Sequence, residues 1–523
     1  MRITTKIMQN NSLTNLNNNK ILQDNLATQI ETEKKITRPS DDPVIAIRAL
    51  RLRTNLSEVT QYLGKNAADA VGWIDSTVAA LKTVSGVLED VRKQCHKGND
   101  GSLTSENRAA ILEQLKGLRD EIYETGDAEF GGRTLFTGYR TNESLRFKEA
   151  NQSDPYVITE NFKGSSIDNI TYVNTGKLTD ITKTNYNDPG QTTEQNVSSS
   201  SIARIRLAYD TLDSTVIPTL TLSNSLNNGA NTVSIQADGS TKNVVTDAGT
   251  VALTFKTVSL SSDPDPYEQM TSANTGEGAT VATAIYIPET GEILMSNNMN
   301  KLVQSDSSTA LSAEYGKTTW EKGDLRPEHY FKCTENLGGG KTVSYSGEEQ
   351  YMSYDVGYNQ TIQVNTLASE VFTHDIGRTV DELMQASQDV VNIEKTISTL
   401  EAMKGDTNYD QNAVTARLEA ANKAKTYLVA KEQKLYASAE TKTDGFVNQT
   451  NLATTNAGNR SSRLDLIKTR LTAQQTNFKG LVTENEGADI AELSIQLKSA
   501  QTAYDAALLA TSKIVQNSLM NYI

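Results

Sequence analysis

The stretch LSEVTQYLGKNAADAVGWIDSTVAALKTVSGVLEDV, residues 56–91, decides how this chain is read. In it Leu56, Thr60, Leu63, Ala67, Ala70, Ile74, Thr77, Leu81, Val84, Leu88 and Val91 recur at alternating steps of four and three. That period is the seam of a helix packed on a second helix. At 1.5 Å per residue it predicts a rod about 54 Å long. Just upstream, Asp41-Asp42-Pro43 supplies a start. Ser40 or Asp41 is the expected N-cap, and Pro43 suits the first turn, where its missing N–H costs nothing. The paired carboxylates face the positive end of the helix dipole. Gly98-Asn99-Asp100-Gly101 ends the rod, and Ile111, Leu115, Leu118 and Ile122 predict a second helix.

Proline placement extends this reading outward. The nine prolines leave 44–154 and 328–523 empty, and a proline in a helix interior costs about 3 kcal/mol, so both windows permit long helices. In the second window Leu383, Ala386, Val390, Ile393, Ile397 and Leu400 form one stripe, closed near Gly405-Asp406. Val414, Leu418, Ala421, Leu428 and Leu435 begin another, and Leu464, Ile467 and Leu471 follow. Nearest the C-terminus, Ile490, Leu493, Leu497, Ala500, Tyr504, Ala507, Thr511 and Ile514 repeat the three-four alternation, with Leu519 beyond them. Nearest the N-terminus, Leu13, Leu16, Leu26 and Ile30 are expected on one face, diluted by Asn17, Asn18, Asn19, Gln23 and Asn25. Neither terminal stripe buries enough apolar surface to offset the entropy of ordering its own backbone. Each is therefore expected to be loose in a monomer and to become helical against the other and against neighbouring subunits. Periodicity alone also fits an ordinary helical bundle. The position of the helical blocks at opposite ends of a non-helical insert favours assembly.

The insert, about 139–375, holds seven of the nine prolines and reads as strands. Thr232–Ile235, Val251–Phe255 and Ala284–Ile287 are rich in β-branched and aromatic residues. Asp238-Gly239, Thr290-Gly291 and Asp263-Pro264-Asp265-Pro266 mark turns. The fold class expected is mainly α, with long coiled-coil helices from both termini and a β-rich middle.

Composition narrows the function. The chain has 523 residues, 50 Lys and Arg against 64 Asp and Glu, and a net charge of −14, which argues against nucleic acid as main partner. Hydrophobic residues are 37% and aromatic ones 6%, too few for one large compact core. No apolar run approaches the ~18 residues of a membrane span, and no ~7-residue apolar stretch makes the N-terminus an ordinary secretory signal. A water-soluble chain without membrane insertion is expected. Cys95 and Cys333 form no CxxC pair and read as buried or tolerated thiols. His96, His329 and His374 stand in no HExxH, HxH or Cys/His cluster, so no metal site or histidine-based nucleophile is expected. A Cys95–His96 dyad fails because neighbouring helical residues point about 100° apart. Gly338-Gly339-Gly340-Lys341 lacks phosphate-loop spacing and reads as a turn, and the Asp263–Pro266 run reads as a solvated loop rather than a calcium ligand set. Neither enzyme activity nor a cofactor is expected.

Several motifs resemble the flagellin family. Met1-Arg2-Ile3-Thr4 opens the chain, and Thr37-Arg38-Pro39-Ser40-Asp41-Asp42-Pro43-Val44 leads into the first rod. The Pro-Ser-Asp-Asp-Pro form resembles the family's hook–filament junction branch, where filament flagellins usually carry an Asp-Asp-Ala-Ala-Gly-like run. Phe130-Gly131-Gly132-Arg133-Thr134-Leu135-Phe136-Thr137-Gly138 is similar to that branch's Gly-Arg-Tyr-Leu-Phe-Gly-type turn, with Thr134 replacing the aromatic. Leu493 through Tyr504 to Leu519-Met520-Asn521-Tyr522-Ile523 also resembles the branch. The resemblance covers about 1–140 and 370–523. It implies a secreted, extracellular subunit of the bacterial flagellum, exported by the type III apparatus without a cleaved signal, with an export chaperone. It implies a terminal coiled-coil layer from 1–40 with 485–523, a long-helix bundle from 41–138 with 376–484, and a variable outer region at 139–375. Implied partners are further copies in a tubular ring, hook-associated protein 1 and flagellin. A filament flagellin is the alternative within the family. A coiled-coil adhesin or phage-tail component would lie outside it, and an enzyme hidden in the middle, as in flagellin-like chains with a protease insert, is opposed by the absence of HExxH.

Overall fold

The computed structural model describes residues 5–150, 152–188, 190–224, 231–246, 249–276, 278, 280–304 and 310–520. Met1-Arg2-Ile3-Thr4 and Asn521-Tyr522-Ile523 lie outside the described residues, as do the side chains of Ile514 and Leu519. The long helices are α1 (Thr5–Thr32), α2 (Pro43–Gln61), α3 (Ala67–Gly98) and α4 (Ser105–Thr125) before the insert. Two short helices interrupt the insert, α5 (Pro266–Gly276) and α6 (Asn297–Gln304). After it come α7 (His374–Glu401), α8 (Gln411–Glu486) and α9 (Ile490–Met520). The chain is thus mainly α with a β-rich middle. No helix among the described residues is long and apolar enough to cross a membrane.

The chain divides into two units. Unit 1 comprises 1–71, 354–362 and 461–523, and unit 2 comprises 72–353 and 363–460.

In unit 1, α2 begins one residue later than expected. Its N-cap is Asp42, not Ser40 or Asp41, and the Asp42 side chain accepts hydrogen bonds from Val44 N and Ile45 N at 2.9 and 3.1 Å. Pro43 occupies the first helical position, so the first free N–H groups are two and three residues past Asp42, within reach of its carboxylate alone. The rod is also interrupted. Residues 62–66 form a π-turn in which Ala67 N donates to Tyr62 O. The extra residue shifts the seam by one position, so Val59 is buried and Thr60 exposed, whereas Ala67 and Ala70 return to the buried phase. The hairpin β15 (Ser353–Gly357) and β16 (Gln360–Gln363) lies largely in this unit, held by Asn66 Nδ2 donating to Asp355 O at 2.7 Å.

In unit 2, Ile74, Thr77, Leu81, Val84, Leu88 and Val91 of α3 are all buried. Antiparallel pairing with α8 is marked by Ser85 with Asn451 (3.0 Å), Arg92 with Asp444 (3.4 Å) and His96 with Glu440 (3.5 Å). Gly98 closes α3 against Tyr436, whose ring lies 2.3 Å from where a Cβ would stand, so only glycine fits. Val390, Ile393, Ile397 and Leu400 of α7 pack with Leu418, Ala421, Ala424 and Leu428 of α8.

The insert builds two six-stranded sheets. One has the order β4-β5-β11-β10-β9-β8: Asp168–Asn174, Ser198–Arg206, Glu292–Met295, Val281–Ile287, Gly249–Thr257 and Asp238–Thr246. The other has the order β14-β13-β3-β12-β6-β7: Thr342–Tyr345, Lys332–Asn336, Gln152–Lys163, Ala310–Trp320, Thr219–Asn224 and Asn231–Gln236. The strand signals at 232–235, 251–255 and 284–287 fall in β7, β9 and β10. One core joins both sheets through Ile158, Ile205, Leu222, Phe255, Tyr286 and Tyr315. The alternation of β10 explains its run of apolar residues at 284–287: Ala284 and Tyr286 face that core, while Ile285 and Ile287 pack under Met270 of α5. β9 and β10 run parallel, which the α5 crossover permits. Asp265 starts α5 by accepting from Glu268 N at 2.7 Å and also accepts from Tyr172 Oη at 2.7 Å, so it is a capping group within the fold. Gly338, Gly339 and Gly340 take φ of +77°, +61° and +78° in the turn between β13 and β14.

Candidate assembly surfaces

In unit 1, α1 and α9 pair along one seam. On α9 the inward positions are Leu493, Leu497, Ala500, Tyr504, Ala507 and Thr511. On α1 they are Ser12, Leu16, Asn19, Gln23, Leu26 and Ile30, with Leu26 fully buried. Gln23 Nε2 donates to Ala500 O at 2.9 Å. Where α1 leads toward α2 and α8 passes into α9, Lys35 N donates to Glu486 O at 2.7 Å and Ala488 N to Glu33 O at 3.0 Å. Leu13, grouped on the sequence with Leu16, is 58% exposed, and Ser12 takes its place in the seam. Counting back from Leu16 by the heptad reaches 12, not 13, and 100° per residue turns Leu13 outward.

The outer faces are as informative as the seam. Ile7 and Ile21 of α1, fourteen residues apart, lie opposite their own inward stripe, Leu13 lies on its flank, and all three are exposed. Ile495 and Leu509 of α9, fourteen residues apart, do the same at 72% and 65% exposure. On α2, Val44, Ile47 and Leu50 form a further exposed stripe. A second apolar face gives a helix a surface that a further packing element could cover. Each such side chain gains about 1.5–3 kcal/mol when fully covered. Ile490, grouped on the sequence with the α9 seam, is exposed at the first residue of the helix.

The motif residues are placed as follows. Pro39 and Ser40 are exposed in the turn before α2. The Asp41 carboxylate accepts from Arg38 N (2.8 Å), Thr37 N (3.0 Å) and Thr37 Oγ1 (3.1 Å), which holds it below the usual carboxylate range, the Arg38 amide contributing most. Asp41 thus closes the loop and Asp42 starts the helix. In unit 2, β1 (Glu129–Phe130) and β2 (Arg133–Thr134) form a hairpin closed by Gly131 and Gly132 at φ +60° and +75°. Positive φ at both positions is the reason for the double glycine. The Arg133 guanidinium lies 5.3 Å from the Trp73 ring centre. Leu135 and Phe136 are buried, and Phe136 meets Phe372 edge-on at 4.9 Å. Gly138 has φ +65°, and a Cβ there would stand 2.7 Å from Gln350 Cβ.

Nothing in the thiol or histidine chemistry points to a nucleophile. Burial pushes the Cys95 and Cys333 thiols up to about 12. His96 is exposed beside Glu440. Burial lowers His329 to about 4 and His374 to about 3. The outer stripes on α1 and α9 were the feature the sequence reading missed. Helical-wheel angles for Ile7, Ile21, Ile495 and Leu509 carry the signal.

Residues 3–141 match the family model of the bacterial flagellin N-terminal helical region. The particular protein the chain resembles is flagellar hook-associated protein 3. It is 29% identical to that of Salmonella typhimurium over 152 residues, 29% of this chain and 47% of the relative. It is 27% identical to that of Escherichia coli over 151 residues, 28% and 47% of the two chains. The match spans about half the length of these curated relatives. A solved flagellar hook-associated protein-3 from Legionella pneumophila aligns over 83% of this chain and 97% of its own, at 9% identity and a TM-score of 0.28.

Proposed function

We propose that this chain is a structural subunit of the bacterial flagellum at the junction between hook and filament. It assembles into a short tubular ring through its terminal helices, with hook-associated protein 1 on one side and flagellin on the other. The observation that supports this most is the second apolar stripe on α1 and α9, which their mutual pairing leaves uncovered. The similarity to flagellar hook-associated protein 3 supplies the flagellar context. In this reading 1–40 with 485–523 form an inner layer, 41–138 with 376–484 the next, and 139–375 the outer region. The chain leaves the cell through the flagellar export apparatus, accompanied by a chaperone, and has no catalytic role. Filament flagellin is the second reading, favoured by the class of the N-terminal region.

Immunogold labelling of intact flagella tests the proposal. Label confined to the hook-proximal base of the filament supports the junction role, and label along the whole filament supports flagellin. A coiled-coil adhesin or phage-tail component predicts label elsewhere.

A further inference from the structure

Pro327–His329 forms one 3-10 turn before β13, and Glu143–Ser144 lies on the loop that follows the Gly138 turn. The two segments are registered to one another: Arg146 bridges Leu325, and Arg326 N donates to Leu145 O at 2.9 Å. One carboxylate oxygen each of Glu143 and Glu328 and one ring nitrogen of His329 lie within 4.8 Å of one another.

Two of these groups carry a buried atom with unmet bonding capacity, Glu328 being buried and His329 half-buried. The Glu328 side chain is 1% exposed. Its Oε1 accepts from an Arg326 Nη at 3.2 Å, while its Oε2 is buried without a hydrogen-bond partner. His329 Nε2 lies 3.3 Å from Ser144 O. A carbonyl only accepts, so Nε2 carries the proton and Nδ1 keeps its lone pair, buried and without a partner. Leaving such acceptors unmet costs about 1–3 kcal/mol each, and a cation satisfies both at once. Glu328 and His329, though not Glu143, line with Gln350 and Glu348 a pocket of about 40 Å³, enough for an ion or a water.

We propose that Glu143, Glu328 and His329 form a binding site for a divalent transition-metal cation of the zinc type. One imidazole with two carboxylates suits zinc, whereas calcium and magnesium favour all-oxygen shells. Zinc bonds of about 2.0–2.2 Å place the ligand atoms about 3.4 Å apart, so the cluster must draw in. Glu143, exposed on its loop, is the ligand that moves, and water fills the fourth position. Arg326 and the Ser144 carbonyl act behind the ligands, fixing the Glu328 carboxylate and the His329 tautomer. Arg326 also offsets part of the negative charge, as does Arg140, stacked 3.9 Å from the Tyr345 ring centre. Both moderate the affinity.

Calorimetric titration of the full chain, stripped with a chelator, with ZnCl2 tests the site. One zinc per chain is expected, weakened at least about tenfold in Glu143→Gln and lost in His329→Gln. His96→Gln should bind as the parent does, because His96 with Glu440 is the competing surface pair. Glu143 is exposed, so Glu143→Gln retains the parental circular dichroism and decides the case should His329→Gln fold poorly. Absence of one-to-one binding, binding unchanged in Glu143→Gln, or binding lost in His96→Gln would each overturn the proposal. None of these outcomes depends on where the protein sits in a flagellum.

Discussion

Arg108 Nε donates to both oxygens of Glu432, at 3.1 and 2.9 Å, with both side chains buried and 324 positions apart in the chain. Ser387 Oγ donates to the same carboxylate, and Glu394 lies 3.5 Å from the Arg108 guanidinium. The pair joins α4 to α8 and, through Ser387 and Glu394, to α7. Removing one partner of a buried ion pair strands the other charge, while replacing both with apolar groups is close to neutral. Glu432→Leu is therefore expected to destabilise the chain by about 3–5 kcal/mol. Adding Arg108→Met should recover most of that loss in urea denaturation, and equal losses in single and double variants would contradict the account.

Burial pushes Glu160 up to about 7, despite hydrogen bonds from Tyr315 Oη and from Ala208 N at 3.0 Å. The folded chain then holds a proton that the unfolded chain releases near 4.5. The stabilisation is complete below about 4.5 and is lost as pH rises through about 7, amounting to about 3 kcal/mol. Glu160→Gln removes that dependence. The stability difference between parent and variant should thus change between pH 4.5 and 8, and a constant difference would refute the assignment.

Asp42 caps α2, so Asp42→Ala is expected to cost about 1 kcal/mol. The loss should show first as faster hydrogen exchange at the start of α2, around Ile45 to Ala49. Asp41→Ala opens the Thr37–Arg38 loop instead, and should leave those amides protected.

Ile495→Asp with Leu509→Asp places charge on the outer stripe of α9 while sparing Leu497 and Tyr504. Helix content of the monomer should stay parental by circular dichroism, and self-association should be lost in sedimentation. Swarming should fall with it. In the parent monomer, amides of α1 and α9 are expected to exchange faster than those around Leu81, because the two-helix pair leaves its outer faces uncovered whereas Leu81 is fully buried.

Much of the helical framework was legible from local pattern. Ile74 through Val91, Leu383 through Leu400 and Leu493 through Thr511 obey one period, and the structure buries or half-buries their apolar faces in that order. The π-turn at 62–66 was not legible, because Leu56–Thr60–Leu63 satisfies the heptad with or without it. The cap moved from Ser40 or Asp41 to Asp42 because three adjacent polar residues all satisfy a capping rule, and only backbone geometry chooses among them. Leu13 was misplaced by one position for lack of a phase reference among the asparagines.

Local chemistry along the chain determined where helices run, where the strands cluster and which turns need glycine, since these depend on neighbours within a few residues. Tertiary structure alone decided that β3 lies between β12 and β13, that Arg108 meets Glu432, and that Glu143 meets His329. Those encounters join residues far apart in sequence, and periodicity holds no record of a partner that distant. The outer faces of α1 and α9 stand between the two cases. Their residues are written in the chain, but they read as surplus only after the inner seam has taken its share.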